Sequence, residues 1–176
     1  SILKQTLEKG DMVLEIGCSI GLISSIVAKT IGSKNIITYE ANKNLIEIAR
    51  NNHYRNGVQP KIIHGLVSYK KAITPFNINE NLYSSSILVK DNTFQTVQLE
   101  SIDINDIIAE YRPSYLIMDI EGYEVELIPK MNLPNFISKI LIEFHQNLTD
   151  IKSITGSLKH LIDHGYNLDL RMSKRD

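Results

Sequence analysis

Short apolar segments alternate with amphipathic helical segments through the first part of the chain, and this alternation constrains the fold most strongly. Strand-forming residues fill 12–16, 35–39 and 61–67, whereas apolar residues recur at helical spacing in 20–31 and 42–56. Two parallel strands need a crossover between them, which is usually a helix and is nearly always right-handed. The alternation therefore predicts an α/β fold with an open, mostly parallel sheet and helices on both faces.

The same alternation resumes after an irregular middle segment. Strands are predicted at 115–120 and 139–145, and a last strand is predicted at 166–170. Residues 69–96 show no sustained helical period and are predicted as a β-hairpin or irregular insertion, with Tyr83–Val89 as its better strand. No linker, repeat or low-complexity segment divides the sequence, so all 176 residues are expected to form a single domain.

Composition narrows the class of partner. The 19 Lys and Arg residues against 20 Asp and Glu residues give a net charge of -1, so no overall field attracts nucleic acid or an anionic membrane. No apolar run approaches the ~20 residues that a membrane-spanning helix needs. The single cysteine excludes an intrachain disulfide and fits a reducing, cytoplasmic setting. The chain begins at Ser1 rather than Met, as a fragment or a processed chain would.

The segment from Glu15 to Gly21 carries the most specific signal for a ligand. It lies where the first predicted strand gives way to the first helix, and open α/β sheets bind ligands in that crevice. Gly17 permits a tight turn and a close approach of the ligand to the backbone. Gly21 is expected to let the helix pack close to the strand, and Cys18 and Ser19 complete the predicted cofactor loop.

The spacing of these glycines distinguishes between two nucleotide ligands. A dinucleotide fingerprint has three glycines in the order G-x-G-x-x-G, whereas this loop reads E-x-G-x-x-x-G with Ser19 at the middle position. Glu15 is expected to point out of the strand end, where a carboxylate repels phosphate and suits a ligand with ammonium and sulfonium groups. The loop therefore favours S-adenosylmethionine over NAD. An NAD-dependent oxidoreductase and a non-catalytic binding module of the same fold are the alternatives.

Two further loops are expected to complete the nucleoside site. Glu40 ends the second strand about twenty residues after the glycine loop, where an acid accepts hydrogen bonds from ribose hydroxyls. A solvated acid at a strand end is the alternative for Glu40, and Ala41 follows it in the same loop. Gly65 and Leu66 lie at the third strand, where the topology places an adenine.

Ionisable residues gather at the ends of the two later strands. Asp119 and Glu121 alternate with apolar neighbours, and Glu143 and His145 alternate in the same way on the next predicted strand. We expect all four at the sheet edge where the glycine loop opens. Other histidines are interpreted as surface or cap residues: His53, His64, His160 and His164.

Three roles compete for these four residues. The first is catalysis or substrate binding, in which His145 or Asp119 takes the proton of an attacking hydroxyl. The second is a hydrogen-bonded network that orders the strand ends. The third is a divalent metal site made from Asp119, Glu143 and His145. The first is preferred, and no metal ligand is assigned from the sequence.

With these residues in view, the chain resembles the FkbM-type methyltransferase family from about residue 11 to residue 145. The marks of the resemblance are Glu15–Gly21, Tyr39–Ala41, Asn51 and Asn56, Asp119–Glu124, and Glu143–His145. The resemblance implies a Rossmann-like class I methyltransferase fold with S-adenosylmethionine as its cofactor. It also implies O-methylation of a hydroxyl on a small-molecule or glycan acceptor, such as a sugar or natural product.

The chain departs from the family pattern at the cofactor loop and after the ribose acid. Glu15 stands where the family usually has Asp, Cys18 and Ser19 replace Ala-Asn, and Ala41 replaces a proline. These departures are mild for cofactor binding and leave the acceptor open.

Overall fold

The computed structural model describes residues 2–79 and 94–169. In these two ranges the elements follow in the order α1 (Ile2–Thr6), β1 (Val13–Ile16), α2 (Leu22–Ile31), β2 (Ile36–Glu40), α3 (Lys43–Arg55), β3 (Lys61–His64), β4 (Leu66–Ser68), β5 (Ile73–Asn79), β6 (Phe94–Asp103), α4 (Ile104–Tyr111), β7 (Tyr115–Met118), α5 (Glu124–Leu127), β8 (Lys139–Ile142) and α6 (Ile151–Asp163). Single 3₁₀ turns precede β2 and follow α5. None of the helices in these ranges has the length and hydropathy of a membrane-crossing segment.

Five strands form one parallel sheet in the order β3–β2–β1–β7–β8. The chain runs outward from β1 to β3 and later returns to the other side of β1 as β7. The strand order therefore reverses between β1 and β7, and a crevice opens there at the carboxyl ends of the strands. The predicted parallel α/β sheet is confirmed.

Side chains alternate between two cores, one on each face of this sheet. Val13 and Ile117 pack with residues of α1 and α2, whereas Leu14 and Leu116 pack with residues of α4, α5 and α6. Because β1, β2 and β7 are buried at every position, their sequences are continuous apolar runs with few polar exceptions. Complete burial of a side chain such as Leu116 contributes about 1.5–3 kcal/mol, so this double-sided core stabilises the site above it.

A second, three-stranded sheet has the order β4–β6–β5, with β5 and β6 antiparallel. β5 lies within the segment 69–96, and β6 begins in it. The predicted strand Tyr83–Val89 lies outside the described residues. The predicted strand 61–67 divides at Gly65, since β3 pairs with β2 and β4 pairs with β6. A Cβ atom at Gly65 would lie 2.6 Å from the terminal methyl group of Ile102, so a larger residue at this change of sheet would require that side chain to move.

The predicted strand 166–170 is wrong over its described part, because residues 166–169 form no strand. The Tyr166 hydroxyl donates a hydrogen bond to the Ile137 carbonyl at 2.6 Å, and its ring packs against the core. Tyr166 therefore anchors this segment to the core without a strand, whereas Leu168 is exposed. Two other predicted strands, 115–120 and 139–145, run past the observed ends of β7 at Met118 and of β8 at Ile142. The residues just beyond these ends build the site.

Candidate active site

A cavity lies at the carboxyl ends of β1, β2 and β7, next to the reversal of strand order. Six of the predicted cofactor residues line it: Gly17, Ser19, Glu40, Ala41, Gly65 and Leu66. Asp119 and Glu121, predicted as catalytic residues, line the same cavity. The structure therefore brings the glycine loop and two of the ionisable residues to one place.

Glu40 holds the glycine loop in position. Its Oε2 accepts a hydrogen bond from the Ser19 N–H at 2.8 Å, and its Oε1 accepts one from the Asn42 N–H at 2.8 Å. Burial raises the pKa of Glu40 to about 7, although hydrogen bonds from the backbone of Asn42, Ser19 and Ala41 act in the opposite direction. A carboxylate has about four acceptor positions, so these three N–H donors leave room on Glu40 for a hydroxyl of a ligand.

The backbone of the glycine loop is in the left-handed region at two positions that line the cavity. Gly17 has φ 83°, and Ser19 has φ 48°, which is uncommon for a residue with a side chain. Such a conformation costs of order 1–3 kcal/mol and persists only where its surroundings fix it. The bond from the Ser19 N–H to Glu40 supplies part of that fixation.

The predicted orientation of Glu15 is wrong. Its side chain lies on the Val13 side of the central strand, 1% exposed, and does not line the cavity. The prediction failed because a side chain within a strand projects across the sheet rather than along it. Burial raises the pKa of Glu15 to about 8, so the carboxyl is largely neutral near pH 7. Its Oε2 has no hydrogen-bond partner within the described ranges.

Cys18 and Gly21 also lie outside the cavity lining. Cys18 is buried, and burial raises the pKa of its thiol. A Cβ atom at Gly21 would lie 2.6 Å from His53 Nε2 and 3.0 Å from the Ala49 Cβ, so this glycine lets α2 pack against α3. The expectation that Gly21 serves helix–strand packing is thus corrected to helix–helix packing.

His53 is buried rather than a surface or cap residue. It is 3% exposed, its Nε2 lies 2.8 Å from the Ser24 Oγ, and burial lowers the pKa of the imidazole. The hydrogen bond joins α3 to α2 just behind the glycine loop. Sequence position alone did not indicate this, because the partner is 29 residues away.

The side chains of Asp119, Glu121 and His145 meet beside the cavity, and we call them the Asp–Glu–His cluster. His145 Nε2 lies 3.6 Å from Asp119 Oδ1 and 3.4 Å from Glu121 Oε2. On its other side, His145 Nδ1 lies 3.5 Å from Glu124 Oε1. Glu124 beside Nδ1, with the charges of Glu121 and Asp119, raises the pKa of His145 to about 9 despite its burial.

The two carboxylates of the cluster are also perturbed. Burial, followed by the nearby charge of Glu143, raises the pKa of Asp119 to about 6. Burial likewise raises the pKa of Glu121 above its ordinary value. The fourth predicted residue, Glu143, is exposed and is not within the cluster. The predicted metal set of Asp119, Glu143 and His145 therefore differs from the observed grouping, which contains Glu121.

A turn, rather than strand alternation, brings Glu121 to the cluster. β7 ends at Met118, and the chain then passes through two left-handed residues, Glu121 with φ 53° and Gly122 with φ 97°. The turn is fixed by the Ile120 N–H, which donates to Glu124 Oε1 at 2.7 Å. The predicted convergence of Asp119 and Glu121 is found, but the predicted reason for it is wrong.

Three aromatic residues of the cavity were not predicted: Tyr39, Phe76 and Tyr123. Phe76 belongs to β5, so the second sheet contributes a wall of the cavity. The Tyr123 hydroxyl lies 2.9 Å from the Ser68 Oγ, which ties the turn after β7 to β4. A single aromatic residue in an irregular segment has no periodicity, so the sequence held no signal for Phe76.

Comparisons with known proteins agree with this architecture. A segment of 56 residues is 36% identical to the ribosomal protein L11 methyltransferase of Thermotoga neapolitana, covering 32% of this chain and 21% of that relative. The match thus spans about a fifth of the relative's length. The precorrin-6y C5,15-methyltransferase structure from Geobacter metallireducens GS-15 superposes with a TM-score of 0.55 at 12% identity, covering 94% of this chain and 69% of that one. This likeness shows a shared fold.

A shorter overlap exists with a SAM-dependent methyltransferase from Thiobacillus denitrificans in complex with S-adenosyl-L-homocysteine. It covers 40% of this chain and 31% of that one, at 27% identity and a TM-score of 0.32, which is too partial to compare the folds. The family model described as the methyltransferase FkbM domain matches residues 15–168, nearly the whole sequence. The chain therefore belongs to the FkbM-type methyltransferase family.

Proposed function

We propose that this chain transfers the methyl group of S-adenosylmethionine to a hydroxyl group of a small-molecule or glycan acceptor. The observation that carries the proposal is one cavity in which Glu40, with room left for a hydroxyl of a ligand, and the carboxylates of Asp119 and Glu121 face the same space. Membership of the FkbM-type family supports the cofactor and the reaction class.

The residues of the cavity suit this cofactor. Glu40 offers acceptors to the ribose hydroxyls, and the apolar side chains of Tyr39, Leu66 and Phe76 offer a surface for adenine. Among the described residues that line the cavity there is neither Lys nor Arg. A cavity with three carboxylates and no lining cation favours a sulfonium and an ammonium, and it disfavours the pyrophosphate of NAD.

Glu15, Cys18 and Gly21 are proposed to act on the cofactor through the loop. Glu15 and Cys18 are buried in or next to the loop, and Gly21 allows α2 to pack against α3. Their contribution is the position of the Gly17 and Ser19 backbone. This is a positioning role, whereas direct contact with the cofactor was the expectation from the sequence.

When bound, S-adenosylmethionine supplies its methyl group by displacement: the bond from the acceptor oxygen to carbon forms, and the carbon–sulfur bond breaks with its electron pair staying on sulfur. The protein's part is proximity, orientation and removal of the hydroxyl proton. Asp119 lies at the cavity and is the proposed proton acceptor. His145, 3.6 Å away, stabilises the charge on Asp119, and the exposed Glu143 adds an acidic group at the same edge.

The proposal is tested first by calorimetry with S-adenosylhomocysteine and with NADH. We expect binding of S-adenosylhomocysteine and none of NADH. A panel of hydroxylated sugars and small aromatic alcohols is then incubated with S-adenosylmethionine carrying a labelled methyl group, and labelled products are detected by mass spectrometry. Failure of the unaltered chain to bind S-adenosylhomocysteine would contradict the proposed function.

A further inference from the structure

We infer that the Asp–Glu–His cluster binds a divalent cation and that Mn²⁺ is the ion its ligands match best. The catalytic role of the ion rests on the proposed function, in which it would hold the acceptor hydroxyl beside the cofactor. The binding site itself rests only on the geometry of Asp119, Glu121, His145 and Glu124.

The spacing of the three side chains is that of ligands around one ion. One ligand atom from each residue lies within 4.8 Å of the others, and His145 Nε2 is 3.4 and 3.6 Å from the two carboxylate oxygens. These contacts are long for hydrogen bonds. Ligands at about 2.1 Å from a common ion are separated by about 3.0–3.4 Å in octahedral or tetrahedral geometry. A small inward movement of the side chains completes the site.

Glu124 is the second, independent observation. It is 0% exposed, and its Oε2 has no hydrogen-bond partner in the parts of the chain that the structure describes. A buried carboxylate without a full set of partners is costly, so its position requires a reason. Its Oε1 lies 3.5 Å from His145 Nδ1, on the opposite side of the ring from Asp119 and Glu121.

Glu124 stands where a carboxylate stands behind a metal-binding histidine, although at 3.5 Å His145 Nδ1 makes no hydrogen bond to it within the described residues. Such a histidine almost always donates its second ring N–H to a carboxylate, which fixes the ring and its tautomer. Glu124 offers that carboxylate to Nδ1 and leaves Nε2 directed at Asp119 and Glu121. A cluster of surface acids alone would not explain why a buried carboxylate lies behind the histidine ring.

The donor set selects the ion. Two carboxylates suit Mg²⁺, Ca²⁺ and Mn²⁺, and the imidazole shifts the preference toward a transition metal, so Mn²⁺ satisfies both. Three protein ligands leave coordination positions open for water or for acceptor oxygens. Because Asp119 and Glu121 line the cavity with Gly17, those open positions face the cofactor cleft. An ion there would lower the pKa of a bound hydroxyl and orient it, which favours an acceptor with adjacent oxygens.

The test is a Mn²⁺ titration. The protein is first dialysed against EDTA to remove bound metal, and the EDTA is then removed. Free Mn²⁺ is followed by its electron paramagnetic resonance signal, and we expect saturable binding of one ion per chain. His145→Gln and Glu121→Gln should each weaken binding at least tenfold. Glu124→Gln keeps an acceptor for the Ile120 N–H and should weaken binding about 10–100-fold, the effect of losing an outer partner.

Glu126→Gln is the matched control, since Glu126 lies on the same short helix as Glu124 but pairs with Lys130 at the surface. It should bind Mn²⁺ like the unaltered chain. Absence of Mn²⁺ binding, or equal binding by Glu121→Gln, Glu124→Gln and Glu126→Gln, would overturn the inference even if His145→Gln does not fold.

Calorimetry with S-adenosylhomocysteine in EDTA separates the two proposals. Cofactor binding without Mn²⁺ binding overturns the ion site alone, and Mn²⁺ binding without cofactor binding overturns the proposed function alone.

Discussion

Gly17 and Asp119 approach so closely that a Cβ atom on residue 17 would lie 1.8 Å from the carbonyl oxygen of Asp119. The two residues follow β1 and β7, the neighbouring strands between which the strand order reverses. Their contact joins the glycine loop directly to the turn that carries the Asp–Glu–His cluster. Gly17 was expected to make room for a ligand, and the structure shows that it first makes room for this backbone.

Gly17→Ala should therefore destabilise the fold as well as the loop. The new methyl group meets backbone atoms of Asp119, and alanine is disfavoured at φ 83°. We expect a loss of more than about 1 kcal/mol in the free energy of unfolding, measured by urea denaturation. Gly57→Ala is the control, because Gly57 has φ 68° with nothing within 4 Å of a built Cβ atom. Equal losses in the two variants would contradict the role of the Asp119 contact.

Glu40→Ala should weaken binding of S-adenosylhomocysteine by about 1–3 kcal/mol, the range for hydrogen bonds to a charged group. The variant removes the acceptors proposed for the ribose and also frees the Ser19 N–H that fixes the loop. Calorimetry measures the affinity, and Glu47→Ala on the exposed face of α3 is the control. An affinity that Glu40→Ala leaves unchanged would remove Glu40 from the cofactor site.

The alternation of strands and helices was enough to predict the parallel sheet, because continuous apolar runs such as β7 suit a strand buried on both faces. The ends of the strands were less predictable. Asp119 and Glu121 continue an alternating pattern, yet the ladder stops at Met118 and a turn begins. A period of two in the sequence does not distinguish a strand from a turn that presents the same residues.

Contacts between distant parts of the chain could not be predicted from the sequence. The burial of His53 depends on Ser24, and the fit of Gly21 depends on Ala49, both across the interface of α2 and α3. Glu15 was expected to contact the ligand because it directly precedes the glycine loop in the sequence. It lies within β1, however, and its side chain is buried in the core. In each case the deciding neighbour belongs to another element, which a local pattern does not specify.

Asp11 should make the stability of the fold depend on acid pH. Burial favours a higher pKa for Asp11, but Lys139 at 2.8 Å, the Glu8 N–H and the Ser114 hydroxyl outweigh it and hold the pKa below its ordinary value. A carboxyl with a depressed folded-state pKa stabilises the fold fully above the unfolded pKa of about 3.9 and loses this contribution as the pH falls through the folded value.

Asp11→Asn should accordingly cost about 1–3 kcal/mol at pH 7, the range for hydrogen bonds that involve a charged group. The difference from the unaltered chain should begin to shrink below about pH 4, where Asp11 takes up a proton in the unfolded chain, and should be lost as the pH falls through the lower pKa of the folded chain. Urea denaturation at pH 7, 5 and 3.5 measures it. A difference that stays constant over this range would show that the charge of Asp11 contributes nothing.

Asp119→Asn should separate chemistry from cofactor binding. Asparagine has nearly the same shape as aspartate but is a poor proton acceptor and a weak metal ligand, so turnover should fall by ~10²–10⁴-fold, as for loss of a general base. Affinity for S-adenosylhomocysteine should change less than about tenfold, because the proposed acceptors for the ribose belong to Glu40. The measurement combines calorimetry with initial rates on the acceptor that the unaltered chain methylates.

Asp106→Asn is the control, since Asp106 pairs with Lys71 at the surface. Turnover equal to that of the control would exclude Asp119 from both the proton transfer and the ion site. Rates measured in EDTA then distinguish these two roles, because a proton acceptor alone works without Mn²⁺ and an ion ligand does not.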